Sequence, residues 1–253
     1  MTAREFSPVE RPPELVDQTV VVIGGSSGIG LETARRARSE GADVVLTGRD
    51  PARLEQAAKE VGALSTAAFD ATDPARLEQF FHDLPHPIDH VMVTAGGSYY
   101  APLADMDFAK VRTALDEHLL LPLQVARYGG GAVRPGGTLV FMTGSGARRP
   151  GVGLEIAAIL AAGLPALTAN LALELAPVRV NLIAAGFVDT PLSASLLGVD
   201  LEQRRNQLRA TLPIRRVVEP ADVAALAVHL MTNTALTGAT YDIDGGEQVV
   251  RGA

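Results

Sequence analysis

The run Val20-Val21-Val22-Ile23-Gly24-Gly25-Ser26-Ser27-Gly28-Ile29-Gly30 joins an apolar strand, a glycine-rich turn and the opening of a helix. In that order the glycines acquire a chemical use. Gly24 makes a tight turn, Gly28 lets backbone approach a diphosphate, and Gly30 lets the helix pack closely on the strand. The free N–H groups and dipole of the new helix then face an anion. Ser26, Ser27, Gly28, Ile29 and Gly30 are therefore candidates to hold a dinucleotide. Other chemistries are closed off. The chain has no cysteine, so thiolate nucleophiles, disulfides and cysteine metal sites are excluded. No two of its five histidines share with a carboxylate the short spacing typical of zinc sites. His82, His86 and His90 are separated by Pro85 and Pro87, which prevent a helix from aligning them, and no metal is expected.

These groups need a scaffold, and the alternation of short apolar runs with helix-period stretches supplies one. Strands are predicted at Thr19–Ile23, Asp43–Thr47, Leu64–Phe69, His90–Thr94, Thr138–Thr143, Arg179–Ala184 and Thr240–Ile243. Helices are predicted at Gly28–Ser39, Pro51–Val61, Pro74–His82, Phe108–Tyr128, Leu154–Leu175, Leu201–Thr211 and Pro220–Met231. Asp50-Pro51 and Asp73-Pro74 each place a capping side chain before a proline at the first helical position. The pattern is α/β: a doubly wound, Rossmann-type parallel sheet of seven strands with helices on both faces, in a single domain. Residues 1–17, with Pro8, Pro12 and Pro13, read as an N-terminal arm before a domain spanning 18–253. A formal charge of −7 argues against nucleic-acid binding. No apolar run is expected to span a bilayer, and no signal peptide is visible, so a cytoplasmic location is expected.

With these segments in order, the chain resembles the short-chain dehydrogenase/reductase family over roughly Thr19 to Gly246. The spacing Gly24-x-x-x-Gly28-x-Gly30 looks like that family's cofactor loop, with Ile23 in place of its usual threonine. Asp70-Ala71 resembles the adenine contact, and Thr94-Ala95-Gly96-Gly97 resembles the segment beneath the nicotinamide ribose. Ala185 to Pro191, with Val188 and Thr190, looks like the loop that holds the carboxamide. Asp242 to Gly246 resembles the terminal strand and its turn. The resemblance implies a nicotinamide cofactor, a small-molecule substrate, and assembly as a homodimer or homotetramer. An NAD-selective site wants a carboxylate at the end of the second strand. Here Thr47-Gly48-Arg49 offers a guanidinium instead, suited to a 2′-phosphate, so NADP(H) is favoured over NAD(H).

The same resemblance exposes a gap. The family's proton donor is a tyrosine, assisted by a lysine four residues later and a preceding serine. Aligning Leu167–Pro177 with the end of that helix puts Ala157 at the tyrosine position and Ala161 at the lysine position. No Tyr or Lys occurs from Met142 to Ala176, so a shifted frame does not restore the pair. The family's assisting asparagine corresponds to His118. Weak candidates for a replacement are His118, which titrates near neutrality, Tyr99 at the mouth of the cleft, and the hydroxyls of Thr143 and Ser145. Pro165 should kink or break the helix beside Ala161. Leu192–Leu212 corresponds to a substrate lid, and its leucines point to a partly apolar ligand. Two functions fit: an oxidoreductase with a non-standard proton relay, or a cofactor-binding pseudoenzyme acting as sensor, scaffold or silent subunit.

Overall fold

Val20 and Val22 face one side of a sheet, and Val21 and Ile23 face the other. All four are fully buried, as strands covered by helices on both faces must be. The computed structural model describes residues 12, 14–85 and 87–250. Seven parallel strands lie in the order β3-β2-β1-β4-β5-β6-β7. They are β1 (Thr19–Ile23), β2 (Asp43–Gly48), β3 (Ser65–Ala68), β4 (Ile88–Val93), β5 (Val133–Gly144), β6 (Arg179–Ala185) and β7 (Thr240–Ile243). The predicted fold class is the one observed.

One face is covered by α1 (Gly28–Ser39), α2 (Pro51–Val61) and, later in the chain, α9 (Pro220–Thr232). The other carries α3 (Pro74–Asp83), α4 (Phe108–Leu115), α5 (Leu121–Gly129) and α6 (Glu155–Glu174). Between β6 and α9 lie α7 (Pro191–Leu197) and α8 (Leu201–Thr211). The Asp-Pro signals are realised: Asp50 accepts from the amides of Ala52 and Arg53, and Asp73 from those of Ala75 and Arg76. Each cap fixes where a helix leaves the sheet, and so fixes the loop beside it.

Four expectations need correction. The single helix predicted over Phe108–Tyr128 is α4 and α5 joined by a π turn at Asp116–Leu120. Pro122 lacks an N–H and would crowd a regular turn before it, and a widened turn relieves both conflicts. Next, α6 runs unbroken through Pro165. Burial of Leu160, Ala161, Leu164, Thr168 and Leu171 against the sheet holds it together where propensity alone would break it. By length and composition that helix would also cross a bilayer, contrary to expectation; here it packs on β5 and β6. Finally, the boundary drawn after Asp17 falls within packed structure, because Leu15 is fully buried and its amide bonds the carbonyl of Glu40. Of the arm, residues 1–11 and 13 lie outside the described residues, as does His86.

Candidate functional site

The chain reverses direction across the sheet between β1 and β4, which opens a crevice beyond the carboxyl ends of these strands. Gly24 and Gly25 donate their amides to the carbonyl of Thr47, while Thr94 and Ala95 donate to that of Ile23. Gly24 has φ +93°, and a Cβ there would lie 2.6 Å from the nitrogen of Ala95. Only glycine lets the two loops close this tightly. The start of α1 then points into the crevice without competition. Among the described residues Ser27 makes no side-chain capping bond, and the first turn holds no acidic residue. The first-turn amides and the helix dipole are thus left for a diphosphate, and the residues present fit one.

Two connected cavities follow. The smaller, about 350 Å³, lies beside the ends of β2 and β3 and is lined by Gly24, Ser26, Ser27, Arg49, Asp70, Ala71, Ala95 and Gly96, among others. Arg49 is paired across the cleft with Glu117, at 3.6 Å. The Asp70 carboxyl accepts from the amide and hydroxyl of Thr72. Chiefly the amide bond from Thr72, with a smaller contribution from the charge of Arg49, holds it below the usual carboxylate range.

The larger cavity, about 870 Å³, includes Gly28, Ile29, Gly30, Gly97, Val188 and Thr190. Every residue singled out for cofactor contact therefore lines one cavity or the other. Thr190 also caps α7, its Oγ1 accepting from the amide of Ser193 at 3.1 Å. The neighbouring carboxylate, Asp189, accepts from Nε and Nη2 of Arg205, each at 2.8 Å, fastening α8 to this loop.

The proton-donor candidates separate here. Thr143, His118 and Tyr99 line the larger cavity. Ser145 does not. The chain leaves the strand conformation at Ser145 (φ −86°, ψ −30°), and its side chain turns into the interior, where Oγ has no partner among the described residues. His118 bonds the carbonyl of Gly97 through Nε2 at 2.9 Å, and the Tyr99 hydroxyl accepts from the amide of Asp107. Ala157 lines the cavity, whereas Ala161 is buried.

Four charged residues in the cleft were not foreseen: Glu117, Arg53, Arg204 and Glu247. Arg204 of α8 meets Glu247 at 2.9 Å and lies over the ring of Phe187. This second tie holds α8 against the terminal turn. No local signal marks it, because its partners are 43 residues apart.

Residues 23–248 match a family model described as Enoyl-(Acyl carrier protein) reductase. The short-chain dehydrogenase/reductase ATR9 of Stachybotrys chlorohalonatus is 29% identical over 92% of this chain and 98% of its own length. A solved short chain dehydrogenase/reductase family protein superposes with a TM-score of 0.83 at 32% identity, covering 94% of this chain and all of that one (100%). A small-chain dehydrogenase crystallised with NADPH superposes with a TM-score of 0.78 at 26% identity, covering 90% and 97%.

Proposed function

Since the chain belongs to the short-chain dehydrogenase/reductase family, we propose that it is an NADP(H)-dependent oxidoreductase acting on a small, partly apolar substrate through a non-standard proton relay. One observation carries this reading. A single cleft runs from the uncapped start of α1 to Val188 and Thr190, so the ends meant for diphosphate and for nicotinamide are both kept. A scaffold needing only an anchored nucleotide would have no use for the second.

In this reading the first-turn amides of α1 hold the diphosphate, Arg49 the 2′-phosphate, and Asp70 and Ala71 the adenine. Ala95 to Gly97 support the ribose, and Val188 and Thr190 orient the carboxamide. The bound nicotinamide supplies or accepts the hydride. What the chain must add is orientation, exclusion of water and a proton. Arg204 and Arg205 hold α8 over the cleft by their bonds to Glu247 and Asp189, which shields the reacting end. Leu192 and Leu154 give that end apolar surface. The proton comes from water, from His118 or from Tyr99, since Ala157 offers none. The NADPH-bound relative supports the choice of cofactor. Assembly as a homodimer or homotetramer, and a cytoplasmic location, belong to the same proposal.

The alternative is a cofactor-binding pseudoenzyme, favoured by Ala157 on the cavity wall where the family's acid would stand. Titration with NADPH, followed by cofactor consumption against carbonyls, enones and imines, separates the two. Turnover of any class supports the oxidoreductase, and its dependence on His118 or Tyr99 then locates the proton source. Tight binding with no turnover selects the pseudoenzyme.

A further inference from the structure

The adenosine end carries more negative charge than a phosphorylated ribose would favour. Arg49 and Arg53 are its cations, whereas Asp50, Asp70 and Glu117 are its carboxylates. Two of the three have local duties: Asp50 caps α2, and Asp70 bonds Thr72. Glu117 reaches in from the π turn on the opposite wall. Its Oε2 accepts the amide of Gly97 at 2.8 Å, and its Oε1 faces Nη1 of Arg49 at 3.6 Å. The Glu117 side chain is only 12% exposed and that of Arg49 is 69% exposed. The carboxylate is therefore the fixed partner, and the guanidinium is the one with room to turn.

We propose that Glu117 is a specificity-determining residue that competes with the ribose 2′-phosphate for Arg49. This rests on the reading of the cleft as an NADP(H) site. A 2′-phosphate that takes the guanidinium breaks the Arg49–Glu117 pair and brings a dianion toward a carboxylate that cannot withdraw, because Gly97 anchors it. A 2′-hydroxyl makes neither demand. Arg49 favours the phosphorylated cofactor, Glu117 limits how strongly, and discrimination is the balance between them.

Fluorescence titration with NADPH and NADH tests this in the intact chain, in Glu117→Gln, in Arg49→Ala and in the double variant. Glutamine keeps an oxygen for the amide of Gly97 while removing the charge. Glu117→Gln is expected to tighten NADPH binding by about two- to five-fold, the range set by an ion pair whose guanidinium is solvent-screened, and to leave NADH nearly unchanged. The gain should shrink when Arg49 is already alanine. Glu117→Asp, with the charge kept but the reach shortened, should give a smaller gain and serves if the glutamine variant fails to fold. Unchanged or weaker NADPH binding in these Glu117 variants, with Arg49→Ala still costing NADPH more than NADH, overturns the proposal alone. Equal losses of both cofactors in Arg49→Ala overturn the NADP(H) reading beneath it as well.

Discussion

Gly30 and Gly24 approach so closely that a Cβ on Gly30 would lie 2.3 Å from the carbonyl oxygen of Gly24 and 2.5 Å from the hydroxyl of Thr94. That hydroxyl itself donates to the carbonyls of Ile23 and Gly24. The first turn of α1, the phosphate loop and the end of β4 thus share one contact point, and relaxing it moves all three.

Gly30→Ala is therefore expected to cost about 1–3 kcal/mol of stability by overpacking and to weaken NADPH binding at least roughly tenfold by displacing the loop. Gly163→Ala is the control. A Cβ there meets nothing within 4 Å among the described residues beyond its own helix backbone, and the residue lies inside α6. Alanine should stabilise that helix by up to about 1 kcal/mol, raising Tm by about 2–4 °C. Thermal melts with and without NADPH check both.

How far the site was legible follows from the range of each interaction. The turn at Gly24 and the Asp50 and Asp73 caps act within a few residues, so the sequence signals for their conformation were sufficient. Glu117 was hidden because its role depends on a π turn, a local widening that no periodicity announces, and on Arg49 arriving from another strand. Ser145 misled because the chain leaves β5 one residue too early for strand alternation to aim its hydroxyl at the cleft. Pro165 misled in the other direction, since helix propensity knows nothing of the sheet beneath α6.

Arg49→Ala is expected to weaken NADPH binding roughly ten- to hundred-fold, the loss of charged hydrogen bonds worth about 1.5–3 kcal/mol. NADH should lose far less, because it presents no phosphate to the guanidinium. Parallel titrations of both cofactors measure the ratio.

His90 provides a stability test away from the cleft. It is buried in β4, with Nε2 2.8 Å from Oε1 of Gln18. Burial, aided by the charges of Arg179 and Arg134, lowers its pKa to about 3. An unfolded histidine takes up a proton near pH 6.5, so between about 3 and 6.5 the unfolded chain binds more protons than the folded one. Stability contributed here is full above about pH 6.5 and falls as the pH drops toward 3, by up to about 1.4 kcal/mol per unit. His90→Gln should begin less stable at neutral pH but lose less on acidification. Equal slopes of Tm against pH in the two proteins would contradict this assignment.

In the proposed reading Ala157 and Ala161 stand where the family's tyrosine and lysine would be, and both positions can be refilled. Ala157 lines the larger cavity, and Ala161 lies one helical turn further along the same helix. The double change Ala157→Tyr with Ala161→Lys should place a phenol and an ammonium beside the reacting end. General acid help is worth about 10²–10⁴-fold when well placed. A crowded, newly buried lysine will deliver only part of that, so a gain of about tenfold in kcat for carbonyl reduction is expected, without a matching change in the Kd for NADPH. Ala157→Phe with Ala161→Lys fills the same space without the hydroxyl and should give no gain. A gain shared by the Phe variant would mean that closing the cavity matters more than the proton. No gain from Tyr, in a variant that folds and binds NADPH, would mean that Ala157 does not face the reacting carbon.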